Sequence, residues 1–315
     1  MNAPGAAVSR APRRELAIGL ACAAGVLAIW TGFILLTRLV AATTLPPAEL
    51  AMLRFVVAGA VSAPWVLRHG LGGLGLGRAV FLAVFAGLGF TLFAYTGFRF
   101  APASHAGALM TGTLPLWTVV LAWPVLGERL TGFKLAGIVL TLSGIAVIAL
   151  PALAAGGDTV LGDACFPLAS LCWAIYTVAA KRWRVGALQA AFVVYAIAAL
   201  IYLPPYLVLT GARMPTAPLA EIVFQAIYQG LFATVISLFL YMRAVAALGA
   251  GPTTMLTAAV PGLAAVAAIP LLGEWPGPAT TAGVVLVTAG VAVTVLALTR
   301  PAPAGYRLTS RESGA

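Results

Sequence analysis

From Thr91 to Leu150 the chain runs through sixty residues that it repeats, 146 positions later and without a gap, from Ser237 to Leu296. Tyr95 falls on Tyr241, Pro115 on Pro261, Pro124 on Pro270, and Gly127-Glu128 on Gly273-Glu274. Gly137 and Gly144 then fall on Gly283 and Gly290, and 20 of the 60 positions are identical. A repeat of this length means one structural unit written twice. Whatever fold the first copy adopts, the second must adopt too.

The medium for that unit follows from the side chains. The chain is 62% hydrophobic and 8% charged, against about 25% charged in an average soluble domain. No soluble core absorbs that much apolar surface, so most of the chain must face lipid, where about 20 apolar residues in a helix span the bilayer. Ten such runs can be marked, roughly 16–41, 50–67, 79–98, 103–126, 133–153, 161–180, 187–210, 219–241, 250–272 and 278–298. The expected fold is an all-α integral membrane protein, with ten transmembrane helices as two inverted five-helix repeats. Residues 1–15 form an N-terminal tail, 16–153 the first repeat, 154–160 a linker, 161–298 the second repeat and 299–315 a C-terminal tail. Five is odd, so the second copy enters the membrane from the opposite side. Halves related in this way support alternating access to a site between them.

Fourteen of the 18 basic residues fall on one side if the N-terminus is cytoplasmic, leaving Arg38, Arg54, Arg99 and Arg213 on the other side or within the membrane. That bias orients helices and predicts both termini in the cytoplasm. A net charge of +10 would otherwise suggest nucleic acid, but these charges sit at alternate helix ends, so no nucleic-acid partner is expected. Arg13-Arg14 precede a run too long for a signal peptide. Cys22, Cys165 and Cys172 lack metal or redox spacing, and no metal or cofactor is expected. The Arg-over-Lys bias and Ala/Gly richness point to a GC-rich bacterium and its inner membrane.

Within the spans, Pro115 and Pro261 each remove a backbone donor and expose a carbonyl one turn earlier, near Thr111 and Thr257. Each is either a packing kink or a gating point beside a cavity. Gly127, Glu128, Gly273 and Glu274 stand at helix ends as corner residues, where the carboxylates can cap helix N-termini or pair with bases. Proton carriage by Glu128 or Glu274 is the competing reading. Arg54 can bind an anionic substrate group or pair with Glu49 one turn earlier. Its position in the second copy falls on Ala191, so symmetry does not demand a charge there. His105 is either a satisfied interfacial histidine or a titrating group in the outer vestibule.

Trp30 matches Trp173, and Phe33 matches Tyr176, at an offset of 143. Trp30, Trp117, Trp173, Tyr176, Tyr195 and Tyr241 supply aromatic surface for a site or for interfacial belts. Gln225, Tyr228 and Gln229 share one face of a helix by their spacing, giving a substrate-facing polar patch or glue between helices. The Gly70–Gly77 run contains a GxGxxG match, but it joins two spans with no strand before it and reads as a connecting loop.

The PVLGERL run at 124–130, the PLLGEW run at 270–275, the glycine pattern after each, and GDACFPLASLCWAIYTVAAKR at 162–182 resemble the EamA-type repeat of the drug/metabolite transporter superfamily. The resemblance covers about residues 16–298. It implies ten helices in inverted halves and secondary transport of a small metabolite, without implying which one; the partners to consider are that solute, the lipid bilayer, and either a proton or a counter-solute. The departures are Pro278 in place of Gly132, Trp275-Pro276 after the second Glu, and His105 where small residues are usual. The expected function is export of an amino-acid-like or other amphipathic solute by alternating access. The alternatives are a non-transporting membrane sensor or scaffold, or an intramembrane enzyme. The only aspartates, Asp158 and Asp163, fall in the outer linker by this reading, and no catalytic motif is present.

Overall fold

A computed structural model describes residues 13–127, 132–210 and 216–299, and helix is the regular structure formed among them. Among the described residues, ten helices are long and apolar enough to cross a membrane. They are α1 (Arg14–Ala41), α2 (Pro47–His69), α3 (Leu76–Phe100), α4 (Ala103–Leu126), α5 (Gly132–Pro151), α6 (Thr159–Arg182), α7 (Ala187–Thr210), α8 (Leu219–Leu248), α9 (Pro252–Leu272) and α10 (Pro278–Leu296). All ten apolar runs are therefore helices. The ends moved where local chemistry overrides hydropathy. Proline at a first helical position starts α2 at Pro47, ahead of the apolar run. α8 continues past Tyr241 through Met242-Arg243 to Leu248.

The connections between successive helices alternate between two ends of the bundle. One end carries the Gly156-Gly157 linker, and the other carries the first residues of α1 and the last residues of α10, the described termini. We call them the linker end and the termini end.

The two copies share their irregularities as well as their helices. α3 is π-helical over Ala83–Gly89 and α8 over Tyr228–Ile236, and the repeat offset places 83–89 on 229–235. α4 is π-helical over Gly107–Thr111, while α9 breaks at Ala258–Ala259, just past the matching Thr257. The first interruption lies four to eight residues upstream of Pro115 and the second two to three upstream of Pro261, prolines that supply no amide hydrogen to the preceding turn. Wide turns of this kind concentrate at functional sites. α4 and α9 end alike, with Gly127 at φ 69° and Gly273 at φ 68°, a left-handed cap that favours glycine.

α5 packs along α10, α2 along α7, α1 along α8, and α3 along α6. The α5–α10 crossing is close because of its glycines. A Cβ on Gly137 would meet Gly290 O at 2.9 Å, and one on Gly144 would meet Gly283 O at 2.8 Å. Gly137 matches Gly283 in the repeat and Gly144 matches Gly290, so the contacts cross over. A two-fold axis between the helices requires that pattern, and the arrangement is consistent with inverted halves. Outward faces are apolar, as at Leu67, Val208 and Leu209, while Phe55, Tyr95, Phe98 and Phe166 are fully buried.

Candidate functional site

Five helices converge on a buried polar cluster near the linker end. Arg54, about two turns into α2, is 3% exposed. Its Nη2 donates to the Tyr195 hydroxyl of α7 at 2.9 Å, and its Nη1 makes a long 3.4 Å bond to the Tyr95 hydroxyl of α3. Tyr95 donates onward to Gln229 Oε1 of α8 at 3.0 Å. Gln229 Nε2 then donates to Thr37 Oγ1 of α1 at 2.9 Å and to Gln225 Oε1 at 3.1 Å. Gln225 closes the chain by donating to Leu36 O at 3.3 Å. Thr37, Arg54 and Tyr95 come from the first copy, Tyr195, Gln225 and Gln229 from the second.

The guanidinium carbon lies 5.5 Å from the Tyr195 ring, 5.7 Å from Phe33 and 6.0 Å from Phe90. Ring faces attract a desolvated cation by about 2 kcal/mol. Hydrogen bonds to a charged donor add about 1.5–3 kcal/mol each. Those terms only partly offset the several kcal/mol that desolvating the ion costs. A carboxylate would complete the balance, yet no described carboxylate lies within ion-pairing distance of Arg54. The pairing with Glu49 weighed from the sequence is not formed. Glu49 lies in the first turn of α2, and its Oε2 is buried without a protein partner, as is Arg54 Nε. A separation of five residues turns the two side chains about 140° apart around the helix, which is why one turn of proximity in sequence does not bring them together.

Toward the termini end the cluster borders an aromatic layer. Phe90 packs on Trp173 at 5.0 Å between ring centres, Trp173 on Tyr176 at 5.3 Å, and Trp30 stacks on Tyr241 at 5.8 Å. Trp30, Trp173, Tyr176 and Tyr241 are all partly exposed. They come from α1, α6 and α8, and the matched tryptophans stand on opposite halves. The Tyr241 hydroxyl lies 3.4 Å from Thr254 Oγ1 of α9.

The linker end is laced shut. Glu274, just past α9, accepts from Arg38 Nε of α1 at 2.7 Å and from the Ala103 backbone N–H that opens α4 at 2.8 Å. Arg38 also donates to Phe98 O and Arg99 O at the end of α3, at 2.9 and 3.2 Å. His105 Nδ1 of α4 is 2.8 Å from Asp163 Oδ1 of α6, and its Nε2 is 3.3 Å from Thr280 Oγ1 of α10. Thr44 donates to Glu221. Beneath these bonds the Ala103–Thr111 part of α4 packs on the Val260–Leu272 part of α9, and α1 packs on the Phe90–Phe100 part of α3. At the termini end the matching segments, 112–126 against 250–257 and α6 against 237–248, make no comparable contact among the described residues. An ion pair does join α1 and α8 there, Arg243 Nη2 to Glu15 Oε2 at 2.7 Å, but it is solvent-exposed.

Not every sequence candidate meets this cluster. Gln225 and Gln229 are in it, but Tyr228 is turned away. Its hydroxyl donates to Ile29 O at 2.8 Å, and its ring stacks between Phe224 and Phe232, which are both exposed. Adjacent residues on a helix point about 100° apart, so one face cannot hold both Tyr228 and Gln229 at its centre. Asp163 is in α6 and buried, not in the linker, because the helix starts at Thr159. His105 is buried against Asp163 and Thr280. Trp117 Nε1 donates to Pro167 O at 3.1 Å, tying α4 to α6. Thr111 donates to Gly107 O and Thr257 to Thr254 O at 3.0 Å, so both hydroxyls close on their own helices. Glu128 lies outside the described residues. Thr37, Phe33, Phe90 and Tyr95 were missed as site residues, although the match of Tyr95 with Tyr241 marked it within the repeat. An apolar groove on α5, lined by Leu135, Val139 and Leu140 with Val293 of α10, shares no residue with the cluster.

Comparisons with known proteins agree with this architecture. The chain is 24% identical over 273 residues to an uncharacterized transporter of Archaeoglobus fulgidus, covering 84% of this chain and 93% of that one. It is 32% identical over 193 residues to a probable terminal-alkyne amino-acid exporter of Streptantibioticus cattleyicolor, covering 60% and 63%. An uncharacterized transporter of Clostridium kluyveri is 28% identical over 216 residues, 66% and 68% of the two chains. A chain of known crystal structure superposes with a TM-score of 0.56 at 22% identity, over 92% of this chain and 99% of that one, which speaks for the fold alone. The EamA-like transporter family model matches twice, at residues 17–150 and 160–296, and the chain belongs to that family.

Proposed function

We propose that the protein is a secondary transporter exporting a small amino-acid-like metabolite by alternating access between its two halves. The observation that carries this is the asymmetry of closure. Helices drawn from both copies are bonded shut at the linker end, while the matching segments at the termini end stand apart beneath Trp30, Trp173, Tyr176 and Tyr241. If the basic-residue bias places the termini end in the cytoplasm, this conformer opens inward, ready to load an exporter. Partly exposed aromatic rings suit the apolar part of an amphipathic solute. The 32% identity to a probable terminal-alkyne amino-acid exporter supports that solute class and direction. The inner membrane of a bacterium is the expected location.

Bacterial cells overproducing the protein, preloaded with labelled L-leucine or L-phenylalanine, should release label faster than cells carrying the Trp173→Ala variant at equal membrane abundance. Release at the same rate from wild-type, Trp173→Ala and empty-vector cells for these and the other proteinogenic amino acids would overturn the proposal.

A further inference from the structure

We propose that Arg54 is a binding point for the carboxylate of the transported solute, an inference that rests on the transport reading above. Three observations converge on it. First, a guanidinium has five N–H donors, and the structure engages two, one of them at 3.4 Å, leaving Nε buried without an acceptor. Second, the charge has no described carboxylate in ion-pairing range, only tyrosine hydroxyls and ring faces. A permanently charged group kept in a lipid-bounded helix without a counter-charge marks a ligand or ion path. Third, the scaffold does not need the charge, since at either repeat offset, 143 or 146, the second copy carries an apolar residue, Ile197 or Leu200.

The surroundings select the anion. One cation stands alone here, which matches a monoanion and under-neutralises a dianionic phosphate. The flat rings of Phe33, Phe90 and Tyr195 surround the guanidinium, a group that holds a planar carboxylate with paired hydrogen bonds. Phe90 touches both Arg54 and Trp173, so its ring links the guanidinium to the partly exposed aromatic layer. That ring follows directly on the π-helical Ala83–Gly89 segment. Rotation of Phe90 would bring a carboxylate onto Arg54 while the solute's apolar side chain stays among Trp30, Trp173 and Tyr241.

The binding also reports to both halves. The hydroxyl of Tyr95 accepts from Arg54 Nη1 and donates to Gln229 Oε1, and Gln229 leads to Thr37 of α1. A carboxylate drawing the guanidinium away from Tyr95 would release the α2 end of a chain of hydrogen bonds that runs through α3 and α8 to α1. Gln225 and Gln229 are positioning residues in this account, acting through Tyr95.

The test uses purified protein in lipid nanodiscs with isovalerate and isovaleramide, which share a shape and differ in the carboxylate. Intrinsic tryptophan fluorescence at constant chloride should titrate saturably with isovalerate and not with isovaleramide. Arg54→Gln should weaken isovalerate at least about tenfold, as for loss of one charged pair partner, with Arg54→Lys intermediate. Equal responses to the two compounds, or unchanged isovalerate binding in Arg54→Gln, would overturn the proposal. So would the same saturable response to chloride in gluconate buffer, which would make Arg54 a site for an inorganic anion. If Arg54→Gln does not fold, the wild-type comparison of acid with amide and the Arg54→Lys affinity decide the matter. Counterflow of L-leucine in vesicles separates this from the wider reading. Isovalerate binding without flux of any amino acid would refute transport and keep the anion site, whereas equal flux of L-leucine and leucinamide would refute the anion site and keep transport.

Discussion

Removing Glu274 should open the linker end. The carboxylate, about one-fifth exposed, holds two partners at once, the Arg38 guanidinium at 2.7 Å and the Ala103 amide at 2.8 Å. Hydrogen bonds to charged groups contribute about 1.5–3 kcal/mol when buried, and water at this helix end screens the pair toward the low end of that range. Arg38 keeps its bonds to Phe98 O and Arg99 O in the variant, so part of the lacing survives. A net loss of about 1–2 kcal/mol from the closed form follows, which is about a 5- to 30-fold rise in the open-to-closed ratio. Thr111→Cys, in a background lacking Cys22, Cys165 and Cys172, reports that ratio through its reaction with a membrane-impermeant thiol reagent added from the linker side. Glu274→Ala should speed modification by that factor. Glu274→Gln, which keeps an acceptor for Ala103 but loses the charge, should fall between. An unchanged or slower rate in Glu274→Ala would refute the reasoning.

Four further outcomes follow. Gln229→Leu strands the Tyr95 hydroxyl and Thr37 in a dry interior, at about 1–3 kcal/mol for each unmet group, and should lower L-leucine counterflow far more than Tyr228→Leu does; equal effects would show that the Arg54 cluster is not the one that matters. Gly144→Leu forces a side chain into the backbone of α10, where a Cβ alone would already meet Gly283 O at 2.8 Å, and overpacking of this kind costs about 1–3 kcal/mol or more; a clear fall in thermal midpoint is expected, and an unchanged one contradicts the crossing. His105 Nδ1 lies 2.8 Å from Asp163 Oδ1 and ties α4 to α6, so breaking that contact should speed Thr111→Cys modification from the linker side. His105→Ala is the variant that breaks it, and an unchanged rate would exclude the His105–Asp163 tie from the closure. Reporter fusions at Gly157 and Ala315 should read as external and cytoplasmic, and the reverse pattern would sink the assignment of an inward-open state.

The helices were legible because lipid permits so few alternatives. A chain with ten apolar runs and a repeat at 146 residues has little choice but to satisfy its backbone within helices. The glycine corners at Gly127 and Gly273 could be read in the same way, from residue type at matched positions, whereas the pairing of Gly137 with Gly290 and of Gly144 with Gly283 emerges only once α5 and α10 are packed. The site was legible only in part. Gln225 and Gln229 stood out because amides in lipid need partners, but Tyr228 looked equal to them until the 100° step between neighbours separated it. Arg54 was conspicuous, yet its tyrosine partners lie 41 and 141 residues away, and no local pattern announces them. His105 and Asp163 met across 58 residues for the same reason. Closure at one end and separation at the other is a property of the assembled helices. Each copy carries the same pattern of apolar runs, prolines and glycine corners, so the asymmetry has no local signature to read.

The most direct test of alternating access is counterflow with the linker end locked. Cysteines at Arg38 and Glu274, in the background lacking the native three, can be bridged by a short reducible bifunctional thiol reagent. Vesicles carrying this protein and preloaded with unlabelled L-leucine should accumulate labelled L-leucine transiently above equilibrium before bridging. They should lose that accumulation after bridging and regain it on reduction. Accumulation that persists with the bridge in place would contradict the account, because solute would then be crossing without the linker end ever opening.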